Sequence, residues 1–279
     1  MAISPPITFS QLRSKTFPPG EHIIGEGLLR KGGKLVIAGA PKTYKSFIAN
    51  TILVQCLTGG YLFGTFTNHS RQREDRFPIT PVERVLLIEQ ELGEEDHRDR
   101  MLPYWNSLSP EDRAKVDHGF YLESCEFDLR LDKLEGLEAM NRMFHEIKPQ
   151  IVCFDPLIKF HRLEENNPSQ MNTLMCNLGK LAWAHHLSPI INHHFNKDPD
   201  KKELDALRGA SSIAGDLDSC LLLNVSNRNA GIISVEPVLK RGKPIHPFLV
   251  KLDFTTLRTE FHRWLQKADL PEDAAQWKV

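Results

Sequence analysis

The sequence predicts an α/β fold: a mostly parallel sheet flanked by helices, followed by late antiparallel strands. Three observations carry this. First, five short apolar runs recur along the chain: Leu35–Ala38, Val85–Ile88, Ile151–Phe154, Pro189–Ile191 and Cys220–Leu223. They are continuous rather than alternating, as in strands covered on both faces by helices. Second, helical periodicity separates them. A helix is expected from about Ser46 to Leu57. Asp132 with Glu135 reads as a capping box, and Leu134, Leu137, Met140, Phe144 and Ile147 follow at helical spacing. After Pro168 and Ser169, one face collects Met171, Leu174, Met175, Leu178, Leu181 and Ala182. Third, beyond Gly231 the runs IISVEPVL and PFLVKLD flank the turn-like Lys240–Pro244, a hairpin pattern. Strands alternating with helices give a doubly wound sheet.

Three stretches interrupt the alternation. Residues 1–30, rich in Pro and Gly, read as an N-terminal arm or strap. Residues 64–81 read as a polar surface excursion between the first helix and the second strand. Residues 195–208 (FNKDPDKKELDALR) form a charged loop of a length that tends to be functional. In the tail, Leu257, Phe261, Trp264 and Leu265 are helically spaced. No internal repeat is evident. The expected organisation is therefore an arm (1–30), one core domain (31–255) and a tail helix (256–279).

The bulk composition excludes several classes. With 279 residues, 41% hydrophobic and 25% charged, the chain is an ordinary globular protein with enough length to bury a core. It has 35 basic and 36 acidic residues, so no global field draws it to nucleic acid or a membrane. No run approaches the roughly 18–20 apolar residues of a membrane helix, and MAISPPITFS is not a secretory signal. Cys56, Cys125, Cys153, Cys176 and Cys220 lack C-x-x-C spacing and read as core thiols of a cytoplasmic protein.

The run GAPKTYKS (Gly39–Ser46) follows the first apolar run and precedes a helix. It matches the phosphate-loop pattern G-x-x-x-x-G-K-S/T everywhere except at the second glycine, which is Tyr44. The backbone of Gly39, Ala40, Pro41, Lys42, Thr43 and Tyr44, with the helix N-terminus, is expected to cradle the phosphates of ATP through its N–H groups. Lys45 would reach the β- and γ-phosphates and the Ser46 hydroxyl would bind Mg²⁺. The Tyr44 side chain must then point away from the nucleotide.

Carboxylates end two other runs. Asp155 closes IVCFD at a strand end, where ligands of open α/β sheets bind, and would hold Mg²⁺ opposite Ser46. Glu91 closes VLLIEQE on a strand expected beside the phosphate-loop strand. It is the candidate base for the attacking water, with Glu89 as the alternative. His194, at the end of PIINHH, could sense the γ-phosphate. The pairs His185/His186 and His193/His194 lack metal-ligand spacing, so a zinc site is not expected.

Together "VLLIEQEL", "IVCFDP", "PIINHHFNK" and "LRGASS" resemble RecA-like P-loop ATPases of the "AAA domain" group, which includes plasmid RepA-type hexameric replicative helicases akin to the DnaB helicases. The resemblance spans about residues 20–255. It implies a RecA-like P-loop NTPase core, ATP and Mg²⁺ as cofactors, a homo-oligomer in the form of a hexameric ring, and single-stranded DNA as partner. It makes Lys45, Ser46 and Asp155 the phosphate and Mg²⁺ residues, Glu91 the base and His194 the sensor. It also makes Lys240 or Arg241 a finger inserted into a neighbouring subunit's site. If the ring is a helicase, Lys197, Lys201 and Lys202 would line its channel and hold the DNA backbone. A recombination or repair ATPase, and a regulatory ATPase without nucleic acid, are the alternatives, because four acids interleave with those lysines.

Overall fold

The computed structural model describes residues 6–16, 22–67, 70, 72–124, 128–165, 167–194 and 215–266. Its centre is a nine-stranded sheet. In chain order the strands are β1 (Leu35–Gly39), β2 (Val85–Glu89), β3 (Phe120–Ser124), β4 (Ile151–Asp155), β5 (Ser188–His194), β6 (Ser219–Asn227), β7 (Ile232–Leu239), β8 (Phe248–Leu252) and β9 (Thr259–Trp264). They lie in the order β9-β8-β7-β6-β1-β5-β4-β2-β3. The six from β6 to β3 are parallel, and β7, β8 and β9 add antiparallel to one side. All five apolar runs are strands of this sheet. Strands β1, β2 and β4 are buried along their whole length, because helices cover both faces.

The order corrects one expectation. Strand β2 is not beside β1, since β5 and β4 stand between them. Apolar runs specify burial but not which strands pair. What β2 does pair with is β4, and the register sets Glu89 level with Asp155.

Helix α1 (Lys45–Thr58) follows β1 directly, and its buried residues cover most of its surface. Helices α2 (Glu94–Asn106) and α3 (Pro110–Gly119) lie between β2 and β3. Helix α4 (Leu134–Ile147) buries Met140 and Phe144, but its first residue Leu134 is exposed. Its expected capping box does not form, and Lys133 is the N-cap. Asp132 instead takes the Arg130 guanidinium (2.9 Å to Nε) and the Arg162 backbone N–H (3.2 Å). A charged hydrogen bond to arginine outcompetes a cap to a backbone amide. Helix α5 (Pro168–His185) buries all six residues of the predicted face. Cys56, Cys153 and Cys220 are buried, whereas Cys176 is exposed on α5.

The flanking stretches differ more from expectation. Within the N-terminal arm, Phe9–Ser14 is a short exposed helix capped by Thr8. His22–Ile24 and Leu29–Arg30, in contrast, pair antiparallel and continue through Pro78–Ile79 to Gly60–Tyr61 as a four-stranded sheet. Ile23, Ile24, Leu28 and Leu29 are core residues. The 64–81 stretch is not merely polar surface either, because Phe66 and Phe77 are fully buried.

The tail from 256 is not a helix where it is described: Thr259–Trp264 is β9. Its register against β8 pairs Val250 with Phe261 and Leu249 with Arg263, leaving His262 as an extra residue. Such a bulge turns Phe261 and Trp264, three apart, toward the same side. Phe66 stacks on Phe261 at 4.1 Å and lies 5.6 Å from Trp264. The spacing therefore imitated a helix.

Candidate nucleotide site

Strand β1 delivers the chain into a loop whose conformation the sequence made specific. Gly39 admits no side chain, since a Cβ there would meet Thr43 Oγ1 at 2.7 Å and the Leu223 carbonyl at 2.8 Å. Lys42 (φ 63°) and Tyr44 (φ 65°) are both left-handed. Alternating handedness of this kind turns successive N–H groups inward into an anion nest at the start of α1. Tyr44 thus adopts the backbone conformation that glycine supplies elsewhere, and its ring leaves the nest. The ring packs edge-on to Phe254 at 6.2 Å and tilted to Phe47 at 6.1 Å, and its hydroxyl donates to the Arg228 carbonyl at 3.4 Å. The expectation that this side chain turns away agrees with the geometry.

Lys45 is buried, and its ammonium donates to the carbonyls of Gly39 (3.0 Å) and Ala40 (2.9 Å). Burial pulls its pKa down to about 8, against the opposing pull of Asp155 and Glu91. Phosphate oxygens would add the close, hydrogen-bonded anionic partner that this half-desolvated ammonium favours. The Thr43 hydroxyl closes the loop on the Ala40 carbonyl at 2.8 Å.

The acids converge on the same end of the sheet. Burial raises the pKa of Asp155, and the Asn192 amide and Ser46 hydroxyl beside the carboxylate hold it back. Neither amide atom of Asn192, which is fully buried, makes a well-directed hydrogen bond among the described residues. The Ser46–Asp155 pairing is the arrangement that Mg²⁺ on a nucleotide requires. Among the described residues no group of three or more His, Cys, Asp or Glu could hold a metal alone. The residues fit a metal that arrives with phosphate oxygens, not a protein-only metal site.

Glu89 and Glu91 differ in kind. Glu89 is buried, and accepts from the backbone N–H groups of Glu91 (2.9 Å) and Leu92 (3.3 Å). Burial and the adjacent Asp155 push it up to about 7. It shapes the turn after β2. Glu91 is exposed, and its charge is felt by Lys45, Asp155 and His194. His194 ends β5 level with Gly39. Its pKa is lowered by burial and then by Lys45, and raised by Glu91 and Asp155. His185 and His186 end α5 and its cap, and the His185 Nε2 lies 2.8 Å from the Asn141 Oδ1.

One charged group escaped the sequence reading. Arg100, on α2, lies 5.0 Å over the Phe47 ring, and its charge lowers the pKa of both Glu89 and Asp155. Nothing in the run EEDHRDR distinguishes it from Arg98, which pairs outward with Asp99 at 2.7 Å.

Two other groups lie elsewhere. Lys240 and Arg241 follow β7 at the end of the sheet opposite the nest, because β7 runs antiparallel to β6 and Leu239 pairs with Ser219. Lys240 is committed to the Gly215 carbonyl at 2.9 Å, while Arg241 is exposed. Lys197, Lys201 and Lys202 lie outside the described residues.

A strand, an anion nest, a helix and acids at the ends of β4 and β2 define a P-loop ATPase domain of RecA-like fold. The model of a family described as an AAA domain matches residues 4–200, and the chain belongs to that family. No curated protein matches the chain. Among solved structures it is similar to a DnaB-like replicative helicase (13% identity, TM-score 0.60), where 87% of this chain spans 61% of that one. It is also similar to a solved ATPase domain (12%, 0.59) at near full length, 91% of this chain and 96% of that one. A third likeness is to a KaiC-like protein from the hyperthermophilic archaeon Pyrococcus horikoshii (11%, 0.56, 86% and 93%). Identities this low are likenesses of fold. No described helix is long and apolar enough to cross a membrane.

Proposed function

We propose that the chain is an ATP-hydrolysing motor of the RecA-like type that forms a ring and acts on single-stranded DNA in replication. The observation that carries this is the convergence of Lys45, Ser46, Asp155, Glu91 and His194 on one nest, with the basic loop at Arg241 on the opposite end of the sheet. Ser46 and Asp155 would hold Mg²⁺, which would supply charge neutralisation at the phosphate oxygens. The loop amides and Lys45 bind and orient the triphosphate. Glu91, exposed and free of the strand-end bonds that occupy Glu89, accepts the proton of the attacking water. His194 reports on the γ-phosphate to the segment that follows it. Arg241 is too remote to serve its own nest, so it completes the site of a neighbouring copy.

The likeness to a DnaB-like replicative helicase supports the DNA reading. The likeness to a KaiC-like protein keeps a regulatory ATPase as the second reading. The deciding experiment is the rate of phosphate release with and without single-stranded DNA at low salt. Stimulation that fades steeply as salt rises is expected, because backbone binding is electrostatic. Stable oligomers that neither bind DNA nor respond to it would favour the regulatory reading.

A further inference from the structure

At the end of the sheet opposite the nest, a cavity of about 450 Å³ opens between the turn that joins the first two N-terminal strands and the loop after β7. Its lining includes His22, Glu26, Arg30, Arg76, Arg241 and Lys243. The one carboxylate among these is already spent. Glu26 accepts a two-pronged hydrogen bond from Arg76 (2.6 and 2.5 Å) and a third from the Phe77 backbone (3.2 Å). Arg30, Arg241 and Lys243 make no ion pair among the described residues and are exposed. The His22 ring adds a buried Nδ1 without a hydrogen-bond partner among the described residues. The cavity thus carries a surplus of about three positive charges and suits a ligand with several phosphate oxygens.

The walls are built to keep their shape. Glu26 (φ 57°) and Gly27 (φ 86°) are both left-handed, and the Leu28 N–H closes the turn on the Gly25 carbonyl at 3.2 Å. Gly27 presses directly on the other wall, since a Cβ there would meet the Arg241 carbonyl at 3.0 Å. Arg30 is fixed at the same end of the sheet, because its carbonyl accepts from the Ser188 hydroxyl at the start of β5 (3.2 Å). The ligand cannot be the nucleotide on the chain's own nest. The strand β1 alone, at about 3.3 Å per residue, sets the two ends roughly 13 Å apart.

We infer that this cavity is the receiving half of a composite site, in which Arg30 and Lys243 act with Arg241 on the terminal phosphates of a nucleotide held by a neighbouring copy. The inference rests on the proposed trans action of Arg241 and extends it to the N-terminal strands. A cluster of guanidinium and ammonium groups would stabilise the charge that develops during phosphoryl transfer.

The test uses full-length chains that assemble alike. Arg30→Ala should lower phosphate release by about tenfold or more, and Arg30→Lys should recover part of it. Mixing Arg30→Ala with Lys45→Ala chains should restore turnover, because the intact nest of one meets the intact cavity of the other. If Arg30→Ala is fully active while Arg241→Ala loses turnover and regains it on mixing, Arg30 is not part of the site and the trans reading stands. If neither variant loses turnover, the trans reading itself fails. A loss in Arg30→Ala that mixing cannot repair overturns the inference by making Arg30 act within its own chain. The second arm titrates tripolyphosphate into Lys45→Ala chains, and only weak binding that salt removes is expected at the cavity, because the neighbour's nest supplies most of the hold on the nucleotide. Tight binding that Arg30→Ala abolishes would assign the cavity to a free polyphosphate rather than to the neighbour's nucleotide.

Discussion

The two ends of the central sheet are chemical opposites. At the nest end, burial shifts Lys45 and the two buried acids, Glu89 and Asp155, away from their ordinary ionisation. Asp155 and Glu91 act on Lys45, and Asp155 adds to the rise of Glu89. At the far end, Arg30, Arg241 and Lys243 stand exposed around a cavity whose one acid among the described lining residues, Glu26, is paired with Arg76. One end has the geometry of an anion nest with acids beside it. The other offers positive charge with no ion pair among the described residues. That asymmetry is the arrangement expected under the proposal that the site forms between copies.

The largest effect that could break this contrast belongs to the nest end. Glu91→Gln should keep nucleotide binding yet lose about 10²–10⁴-fold in phosphate release, since an amide cannot accept the proton. Glu89→Gln should instead cost mainly stability at the turn after β2. If Glu89→Gln loses turnover and Glu91→Gln keeps it, the two roles are exchanged.

The far end can be broken through its packing. Trp264 lies beneath Arg76, whose guanidinium is 5.2 Å from the indole, and its Nε1 donates to the Thr67 carbonyl at 2.8 Å. Trp264→Ala should destabilise the fold by about 3–5 kcal/mol in denaturant titration, as large-to-small core changes do. A tail that merely docked as an exposed appendage would lose far less.

The smallest effect sharpens the nest end. His97 is buried and stacked against Phe120, and burial, followed by the charge of Arg100, lowers its pKa to about 4. The folded pKa lies below the ordinary 6.5, so the unfolded chain binds the proton first. His97 therefore contributes stability that is present above pH 6.5 and lost as pH falls toward 4. Glu89, raised to about 7, acts in the opposite sense across nearly the same window. The comparison of His97→Leu with the parent isolates the histidine. Relative stability should shift toward the variant by up to about 3 kcal/mol between pH 7 and 4. A constant difference across that range would mean that His97 is not held neutral.

Much of the nest end was legible in the sequence because its chemistry needs particular residues at fixed steps. The run from Gly39 to Ser46 and the acids that close apolar runs are local patterns. Strand pairing is not local, and so β2 was expected beside β1 although it pairs with β4. The far end was legible only at Lys240 and Arg241, through family resemblance. Glu26 and Gly27 approach that loop backbone to backbone, and Arg30 shares its cavity, across about two hundred residues of chain, and no spacing encodes this. Strand β9 misled because one bulge restored a three-residue repeat to a period-two element. Arg100 was invisible because it stands in a mixed-charge run where nothing sets it apart from Arg98.

The central claim is that Gly39–Ser46 binds and turns over ATP. Steady-state phosphate release and equilibrium ATP binding, measured side by side on Lys45→Ala and the parent chain, test it most directly. The account predicts weakened binding and a loss of turnover of at least about 100-fold, because the buried ammonium is the main side-chain partner of the triphosphate. Near-normal turnover by Lys45→Ala, in protein that folds and assembles like the parent, would contradict it.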